Sequence, residues 1–222
     1  MIKVAIDGPA GAGKSTIARA VAKSLGYIYI DTGALYRAVG FNAKRCCVDF
    51  NCREQIVNTL NNLQIDIQFV NGEQRVCVNG EDVNDKIRTP EMSLVASAVS
   101  AVSEVRAFLF DLQKNLANSN NSIMDGRDIG TVVLPDADVK IFLTASAKTR
   151  AQRRYKELIE KGQSVEFDDV LADIEKRDYA DSHREIAPLK QADDAVLADT
   201  SDLTLEESIE LIKNIIADRL KK

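Results

Sequence analysis

Residues 8–15 read Gly-Pro-Ala-Gly-Ala-Gly-Lys-Ser and follow the apolar run Ile-Lys-Val-Ala-Ile at residues 2–6. They fit Gly-x-x-x-x-Gly-Lys-Ser/Thr, the phosphate-binding P-loop, at every fixed position. The glycines let the loop turn so that backbone N–H groups point inward at phosphate oxygens, and the following helix directs its positive end at the same anion. Lys14 adds a mobile charge for the β- and γ-phosphates, and the Ser15 hydroxyl can ligate Mg²⁺. The stretch therefore predicts a buried strand, a loop and a helix over residues 14–25 that bind a nucleoside triphosphate.

The composition is that of an ordinary globular chain. It has 222 residues, 45% hydrophobic and 28% charged, enough for one α/β domain with a buried core. A net charge of -5 argues against a broad basic surface, so we expect no nucleic-acid partner and no anionic membrane partner. Cysteines 46, 47, 52 and 77 have no Cys-x-x-Cys spacing, and His183 is the single histidine, which argues against structural zinc. With no signal peptide and no apolar run long enough to span a membrane, we expect a cytoplasmic protein with reduced thiols.

Apolar runs and helical patterns alternate along most of the chain. Short strands are predicted at residues 27–30, 123–124, 139–143 and 195–198. Helices are predicted at residues 54–63, 103–118, 147–161 and 168–181, with Thr89-Pro90 and Thr204-x-x-Glu207 as helix starts. Strands alternating with helices predict an α/β fold, with a parallel sheet, helices on both of its faces and the ligand at the carboxyl ends of the strands.

One segment departs from this pattern. Residues 64–70 alternate apolar and polar side chains, Asn71-Gly72 and Asn79-Gly80 are hairpin-turn signals, and residues 76–78 repeat the strand pattern. We therefore expect a small antiparallel insertion at residues 58–88.

Arginines in loops and at helix ends indicate what the triphosphate is used for. They are Arg37, Arg127, Arg150, Arg153, Arg154, Arg177 and Arg184. Arginine is suited to bidentate phosphate recognition and to the charge on a transferring phosphoryl group, so this number indicates a second, phosphate-bearing substrate. The chain lacks the Asn-Lys-x-Asp motif of GTPase switches and is short for a motor. Phosphoryl transfer to a nucleoside monophosphate fits, because its phosphate oxygen is already anionic and needs no general base. Water must be excluded during such a transfer, so a closing lid is expected.

Several motifs together carry a family resemblance. They are residues 6–15, 31–37, 80–83, 87–89, 125–133, 150–154 and 177–189. With these motifs the chain closely resembles the bacterial cytidylate kinases of the P-loop nucleoside monophosphate kinase family, nearly from end to end. The P-loop is generic, whereas the other segments are specific to that family.

The resemblance implies an architecture and a reaction. It implies a parallel-sheet P-loop kinase core at residues 1–57 and 89–222, a helical lid at about 147–165 and an enlarged NMP-binding insertion at 58–88. It implies transfer of the γ-phosphate of ATP to CMP or dCMP with Mg²⁺, giving ADP with CDP or dCDP. A monomer is also expected.

The resemblance further implies roles for individual residues. ATP is expected along Gly8, Pro9, Ala10, Gly11, Ala12, Gly13, Lys14, Ser15 and Thr16. Catalytic roles fall to Lys14, Asp125, Arg150, Arg153 and Arg154, and direct metal ligation to Ser15. Asp125 would act near the metal through water. CMP is expected at Thr32, Arg37, Ser97, Arg106, Arg127, Asp128, Arg177, Asp181 and Arg184.

Within that CMP set, the resemblance separates the parts of the nucleotide. It gives the phosphate to Arg37, Arg127 and Arg184, and the sugar to Arg177 and Asp181. The base falls to Ser97, Arg106 and Asp128. Their chemistry suits cytosine, whose N4 amino group donates to a carboxylate and whose N3 and O2 accept. Uracil would set a carbonyl against Asp128, and an unpaired buried polar group is costly.

Two other interpretations remain open at this point. The chain could be a P-loop kinase for another small acceptor, such as UMP, AMP or shikimate, which the Asp128 and Arg106 pair disfavours. It could also be a nucleotide-binding regulatory module without turnover. The intact Lys14, Ser15 and Asp125 and the lid arginines disfavour that alternative.

Overall fold

Two sheets organise the computed structural model, which describes residues 1–70 and 72–221. The strands are β1 (Lys3–Asp7), β2 (Ile28–Asp31), β3 (Ile65–Val70), β4 (Glu73–Val78), β5 (Glu81–Asp82), β6 (Ser122–Gly126), β7 (Val139–Thr144) and β8 (Val196–Asp199). The main sheet is parallel and five-stranded, in the order β2-β6-β1-β7-β8. β3, β4 and β5 form a separate antiparallel sheet. The predicted parallel core and small antiparallel sheet are confirmed.

Eight helices surround these sheets in the described part of the chain. They are α1 (Lys14–Leu25), α2 (Thr32–Arg45), α3 (Arg53–Asn58), α4 (Pro90–Ser100), α5 (Ser103–Asn118), α6 (Ala147–Glu160), α7 (Phe167–His183) and α8 (Leu205–Leu220). A 3₁₀ turn at Thr59–Asn62 and a π-helical turn at Ile129–Val133 complete the regular structure.

The central strand β1 buries both of its faces. Val4 and Ile6 pack with residues of α1 and α8, including Val21 and Ile212. Ala5 points to the opposite face and packs with residues of α5 and of the π-helical turn. Successive side chains on a strand point to opposite faces, so the continuous apolar run at residues 2–6 is the mark of a strand covered on both sides.

A second apolar cluster joins the antiparallel sheet to the helices beside it. Val76 and Val78 of β4 pack with Leu35 of α2, Val99 of α4 and Leu109 of α5. The antiparallel sheet therefore shares its core with flanking helices. The predicted turn at residues 71–72 falls partly outside the described residues, since residue 71 is not among them.

The helix predicted over residues 54–63 was wrong in its second half. The α-helix ends at Asn58 and continues as the 3₁₀ turn. Thr59 Oγ1 donates to the carbonyl of Ile56 at 2.7 Å, and Asn42 Nδ2 donates to the carbonyl of Thr59 at 3.2 Å. Side chains that bond backbone carbonyls in this way compete with the helical pattern.

The helix starts at Thr89 and Thr204 are confirmed. Thr89 accepts a hydrogen bond from the Met92 N–H with proline at the next position, and Thr204 and Glu207 form a complete capping box. Across the described residues, no single helix has the length and apolarity needed to cross a membrane. Only α4 and α5 taken together meet that test, and they are bent by 102°.

Candidate active site

The predicted P-loop lies between the end of β1 and the start of α1. Gly13 takes the N-cap position of α1 with φ +84°, and no side chain caps the helix, so its first N–H groups are free to meet an anion. Gly8 has φ +153°, and a Cβ there would lie 1.9 Å from the carbonyl oxygen of Leu143 on β7. Only glycine lets the loop pass this close to the sheet.

The Lys14 side chain folds back over the P-loop. Its buried Nζ donates to the carbonyl oxygens of Gly8 at 2.7 Å and Pro9 at 2.8 Å. Burial, and then the positive charge of Arg127, lower the pKa of Lys14 to about 7. Arg127, in the loop after β6, is therefore close enough to Lys14 to influence its charge.

Asp125, at the end of β6, faces the start of α1. Ser15 Oγ donates to its Oδ2 at 2.8 Å, and the Tyr29 hydroxyl donates to its Oδ1 at 3.0 Å. Burial, and then the nearby Asp31 carboxylate, raise the pKa of Asp125 to about 6. Ser15 and Asp125, which were both predicted near the metal, are brought together by this hydrogen bond.

The donor set at this point suits a hard cation. A hydroxyl and a carboxylate are oxygen ligands, and Mg²⁺ uses one or two such protein groups beside substrate phosphates. Among the described residues no group of three or more His, Cys, Asp or Glu side chains is arranged to hold a metal by itself. Ser15 and Asp125 therefore fit a metal that arrives with its phosphates.

Arg37 of α2 and Arg127, which follows β6, each pair with a buried carboxylate. Arg37 Nη2 contacts Asp31 Oδ2 at 3.0 Å, while its buried Nε has no hydrogen-bond partner among the described residues. Arg127 Nε donates to Asp181 Oδ2 of α7 at 2.7 Å. Thr32 Oγ1 donates to the carbonyl oxygen of Asp125 at 2.7 Å. An unpaired guanidinium N–H beside paired arginines suits an anionic group.

Asp128 lies buried between two arginines from distant parts of the chain. Arg106 of α5 donates to its Oδ2, and Arg184 Nη2, just after α7, donates to its Oδ1 at 3.2 Å. The Arg106 guanidinium lies 5.7 Å from the centre of the Tyr36 ring. Burial outweighs both cations and raises the pKa of Asp128. Asp128 and Arg106, which were both predicted to read the base, contact each other, and Arg184, which was predicted at the phosphate, contacts the same carboxylate.

Ser97 does not join this pair through a hydrogen bond. It lies half-buried on α4, where its carbonyl accepts from Ser100 Oγ, and Arg106 reaches the carbonyl of Ser100 at 3.4 Å. Arg177 and Asp181 were predicted to share a face of α7. Asp181 is paired with Arg127, and burial followed by the charge of Arg127 lowers the pKa of Arg177.

The arginines of α6 have different surroundings. Arg150 is buried and donates to the carbonyls of Ala145 and Ala10, both at 2.8 Å, and its Nη2 meets Asp178 at 2.6 Å. Arg153 donates to the carbonyl of Thr200 at 2.6 Å. Arg154 is partly exposed and contacts Glu157 at 2.8 Å. Arg150 therefore holds the P-loop to α6 and α7, and Arg154 has the most freedom to move.

Sequence reasoning missed several residues that build the site. The missed residues are Asp7, Tyr29, Asp31, Gln74 and Asp178. Asp7 accepts from the N–H groups of Ile129 at 2.8 Å and Gly130 at 2.7 Å, and burial raises its pKa to about 6. One signal was available: Asp7, Asp31 and Asp125 each stand at the carboxyl end of a strand predicted to be parallel.

The geometry of the site defines a class of protein. One loop is built for a phosphate chain, and Arg37, Arg106, Arg127 and Arg184 from other elements pair with buried carboxylates. Such a pairing on a parallel sheet defines a P-loop kinase.

Comparisons with known proteins agree with this class and make it specific. A family model described as cytidylate kinase matches residues 4–218. A protein from Lactobacillus johnsonii named cytidylate kinase is 51% identical over 100% of this chain and 96% of its own length. Another of that name, from Caldicellulosiruptor saccharolyticus, is 52% identical over 95% of this chain and 93% of its own length.

Similarity of fold extends to more distant proteins. The crystal structure of an uncharacterized protein from Eubacterium ventriosum aligns with a TM-score of 0.54 at 12% identity, over 98% of this chain and 99% of that one. This likeness concerns the fold alone. By its family match and its curated relatives, the chain belongs to the cytidylate kinase family, whose activity is an ATP-dependent phosphotransfer.

Proposed function

We propose that the protein transfers the γ-phosphate of ATP to CMP or dCMP, forming ADP and the corresponding diphosphate. The observation that carries this assignment is Asp128, a buried carboxylate between Arg106 and Arg184. A buried acceptor flanked by donors is complementary to the Watson–Crick edge of cytosine, which presents an amino donor beside two acceptors.

ATP would bind along residues 8–16, with its phosphates on the loop amides and at the start of α1. Lys14 would leave the carbonyls of Gly8 and Pro9 for phosphate oxygens, and their negative charge would favour its protonated form. Mg²⁺, when bound at Ser15 with Asp125 acting through water, would neutralise charge on the β- and γ-phosphates. Thr16 would add a hydroxyl at the same helix start.

The acceptor's phosphate would lie among Arg37, Arg127 and Arg184. The unpaired Nε of Arg37 supports this role, because a buried guanidinium N–H without a partner is costly. The attacking phosphate oxygen is already an anion, so the protein's work is to align two substrates, offset their charge and exclude water. Arg150, Arg153 and Arg154 would act from the lid, with Arg154 the most able to reach the transferring group.

The base and the sugar would be read by neighbouring elements. Asp128 would accept from cytosine N4, and Arg106 and Ser97 would donate to N3 and O2. Arg184 must then give up part of its contact with Asp128, which frees its guanidinium for the phosphate. Arg177 and Asp181 would contact the sugar, with Thr32 near the phosphate.

Several properties of the whole protein form part of the proposal. Residues 58–88 would be the NMP-binding insertion, residues 147–165 the lid, and residues 1–57 with 89–222 the core. We also propose a cytoplasmic monomer that binds neither nucleic acid nor membranes, which the net charge of -5 supports.

The test is release of ADP from ATP and Mg²⁺ with CMP, dCMP, UMP or AMP as acceptor. We expect rapid turnover with CMP and dCMP only. Asp128→Ala removes the base reader, and Asp128→Asn keeps its shape and turns an acceptor into a donor. Each should lower kcat/KM for CMP by at least about a hundredfold, and the asparagine should relax selection toward UMP.

The matched control is Asp193→Ala, which removes an exposed carboxylate elsewhere and should leave turnover unchanged. Melting curves for each variant separate loss of the reader from loss of the fold. Turnover with AMP, or with none of the four acceptors, would reject the cytosine assignment.

A further inference from the structure

Gln74 is a buried amide at a position where the strand pattern favours an apolar side chain. On β4 the buried positions are 74, 76 and 78, and the other two are valines in the second apolar cluster. The Gln74 side chain is part of a residue only 7% exposed. Burying an amide is unfavourable unless its hydrogen bonds are made, so its partners explain its presence.

Both partners of Gln74 belong to the backbone of one residue on the other sheet. Its Oε1 accepts from the Asp31 N–H at 2.8 Å, and its Nε2 donates to the Asp31 carbonyl at 3.2 Å. Asp31 ends β2, an edge strand whose other side pairs with β6. The amide thus takes the place of a neighbouring strand at this one residue and fixes its backbone from the antiparallel sheet.

The side chain of Asp31 passes this restraint to Arg37. Asp31 Oδ1 accepts from the Ala34 N–H at 2.9 Å and caps α2, while its Oδ2 holds Arg37 Nη2 at 3.0 Å. The same residue therefore starts the helix that carries Arg37 and orients the guanidinium. A shift in the Asp31 backbone would move both.

We propose that Gln74 is a positioning residue for the acceptor's phosphate, acting through Asp31 on Arg37. This inference rests on the proposed function, in which Arg37 binds that phosphate. The antiparallel sheet would then help to hold Arg37 in position at the phosphate site. The inference also separates two consequences of losing Gln74: binding of the phosphate should suffer, and binding of the base should not.

The experiment compares Gln74→Met with Gln68→Met. Methionine keeps the length of the side chain without the amide, and Gln68 is an exposed glutamine on the adjacent strand β3. We would measure KM for CMP and for ATP, and the Kd of CMP and of cytidine by calorimetry without ATP. We expect Q74M to weaken CMP binding by roughly tenfold, which corresponds to about one hydrogen bond between Arg37 and the phosphate. The KM for ATP, the Kd of cytidine and kcat should stay within about twofold of the wild-type values.

A double variant tests whether the effect passes through Arg37. In an Arg37→Ala background, Q74M should cause no further loss of CMP affinity. Equal weakening of CMP and cytidine, an unchanged CMP affinity, or a full additional loss in the double variant would each overturn the inference. An R37A protein that binds CMP as the wild type does would overturn the phosphate role of Arg37 itself, and the inference with it.

Gln74→Val provides a second variant should Q74M not fold. Valine is the residue at the other two buried positions of β4, and it has neither the acceptor for the Asp31 N–H nor the donor to the Asp31 carbonyl, so the loss must again be selective for CMP over cytidine. A Q74V protein with wild-type affinity for CMP would overturn the inference.

Discussion

Gly8 combines a positive φ with the tightest approach of any glycine in the described residues. Its φ is +153°, and the carbonyl oxygen of Leu143 lies 1.9 Å from where a Cβ would be. Gly8→Ala should destabilise the protein by roughly 3 kcal/mol, because it adds backbone strain and a steric clash with β7. Urea unfolding would measure this loss.

The matched control for Gly8 is Gly26→Ala. Gly26 also has a positive φ, +69°, but nothing lies within 4 Å of its absent Cβ. Strain alone should cost about 1–2 kcal/mol there, and ATP binding should persist. Equal losses in the two variants would mean that the approach to Leu143 does not restrict this position.

At the scale of residues, the sequence identified the residues whose position a local motif determines. Lys14 and Ser15 follow from the P-loop motif, which occupies the eight neighbouring residues 8–15. The contact of Arg184 with Asp128 joins residues 56 apart, and depends on how α7 docks. The spacing of motifs along the chain does not show how α7 packs against the sheet. The sequence could therefore identify Arg184 as a site residue without identifying the carboxylate that it contacts.

The helix α6 presents three arginines to three different environments. Arg150 is buried against the P-loop and Asp178, so Arg150→Met should destabilise the protein by about 3 kcal/mol through the unpaired carboxylate. Arg154 contacts only Glu157 near the surface, so Arg154→Met should change stability by less than about 1 kcal/mol. Because Arg154 is proposed to reach the transferring phosphate, the kcat of Arg154→Met should nevertheless fall by about a hundredfold.

Lys156→Met is the control for both α6 variants. Lys156 is exposed on the same helix, 3.9 Å from Glu160, and should affect neither kcat nor stability. Unfolding curves and steady-state rates for all three variants would check the division. A normal kcat in R154M, or an R150M protein as stable as R154M, would contradict it.

At the scale of elements, a feature could be predicted from the sequence when the residues that fix it are close together in the chain. The caps at Thr89 and Thr204 are local hydrogen-bond patterns and were predicted correctly. The π-helical turn at Ile129–Val133 was not predicted. Its first two N–H groups are bonded by Asp7, more than a hundred residues earlier in the chain, so its shape is imposed by tertiary contact.

At the scale of the molecule, alternating strands and helices predicted a parallel sheet but not its strand order. The order β2-β6-β1-β7-β8 depends on which helices cover each face of β1. An amphipathic pattern shows which face of an element is buried, but not which other element packs against it. The same limit applies to the predicted insertion at residues 58–88. Its apolar face packs with α2, α4 and α5 in one cluster, which the strand pattern alone could not reveal.

Asp7 links the centre of the sheet to the turn after Asp128, and its ionisation should affect the stability of the whole fold. Burial raises its pKa from 3.8 to about 6, so between these values the native state holds a proton that the unfolded chain releases. The stabilisation that Asp7 provides is therefore complete below about pH 4 and is lost as pH rises to 6, by about 3 kcal/mol at most.

The effect of Asp7 must be separated from that of Asp125, whose pKa is also raised to about 6 and which follows the same trend. The test is therefore the difference in unfolding free energy between a variant and the wild type at each pH. Asp7→Asn does not titrate, and its stability relative to wild type should improve by about 2–3 kcal/mol between pH 4 and 7 in urea unfolding. Asp82→Asn is the control, because hydrogen bonds from Asn84 lower the pKa of Asp82 from 3.8, so Asp82 titrates below this range and its variant should differ from wild type by a constant amount between pH 4 and 7. A difference between Asp7→Asn and wild type that stays constant with pH would show that Asp7 is ionised in the folded protein throughout this range.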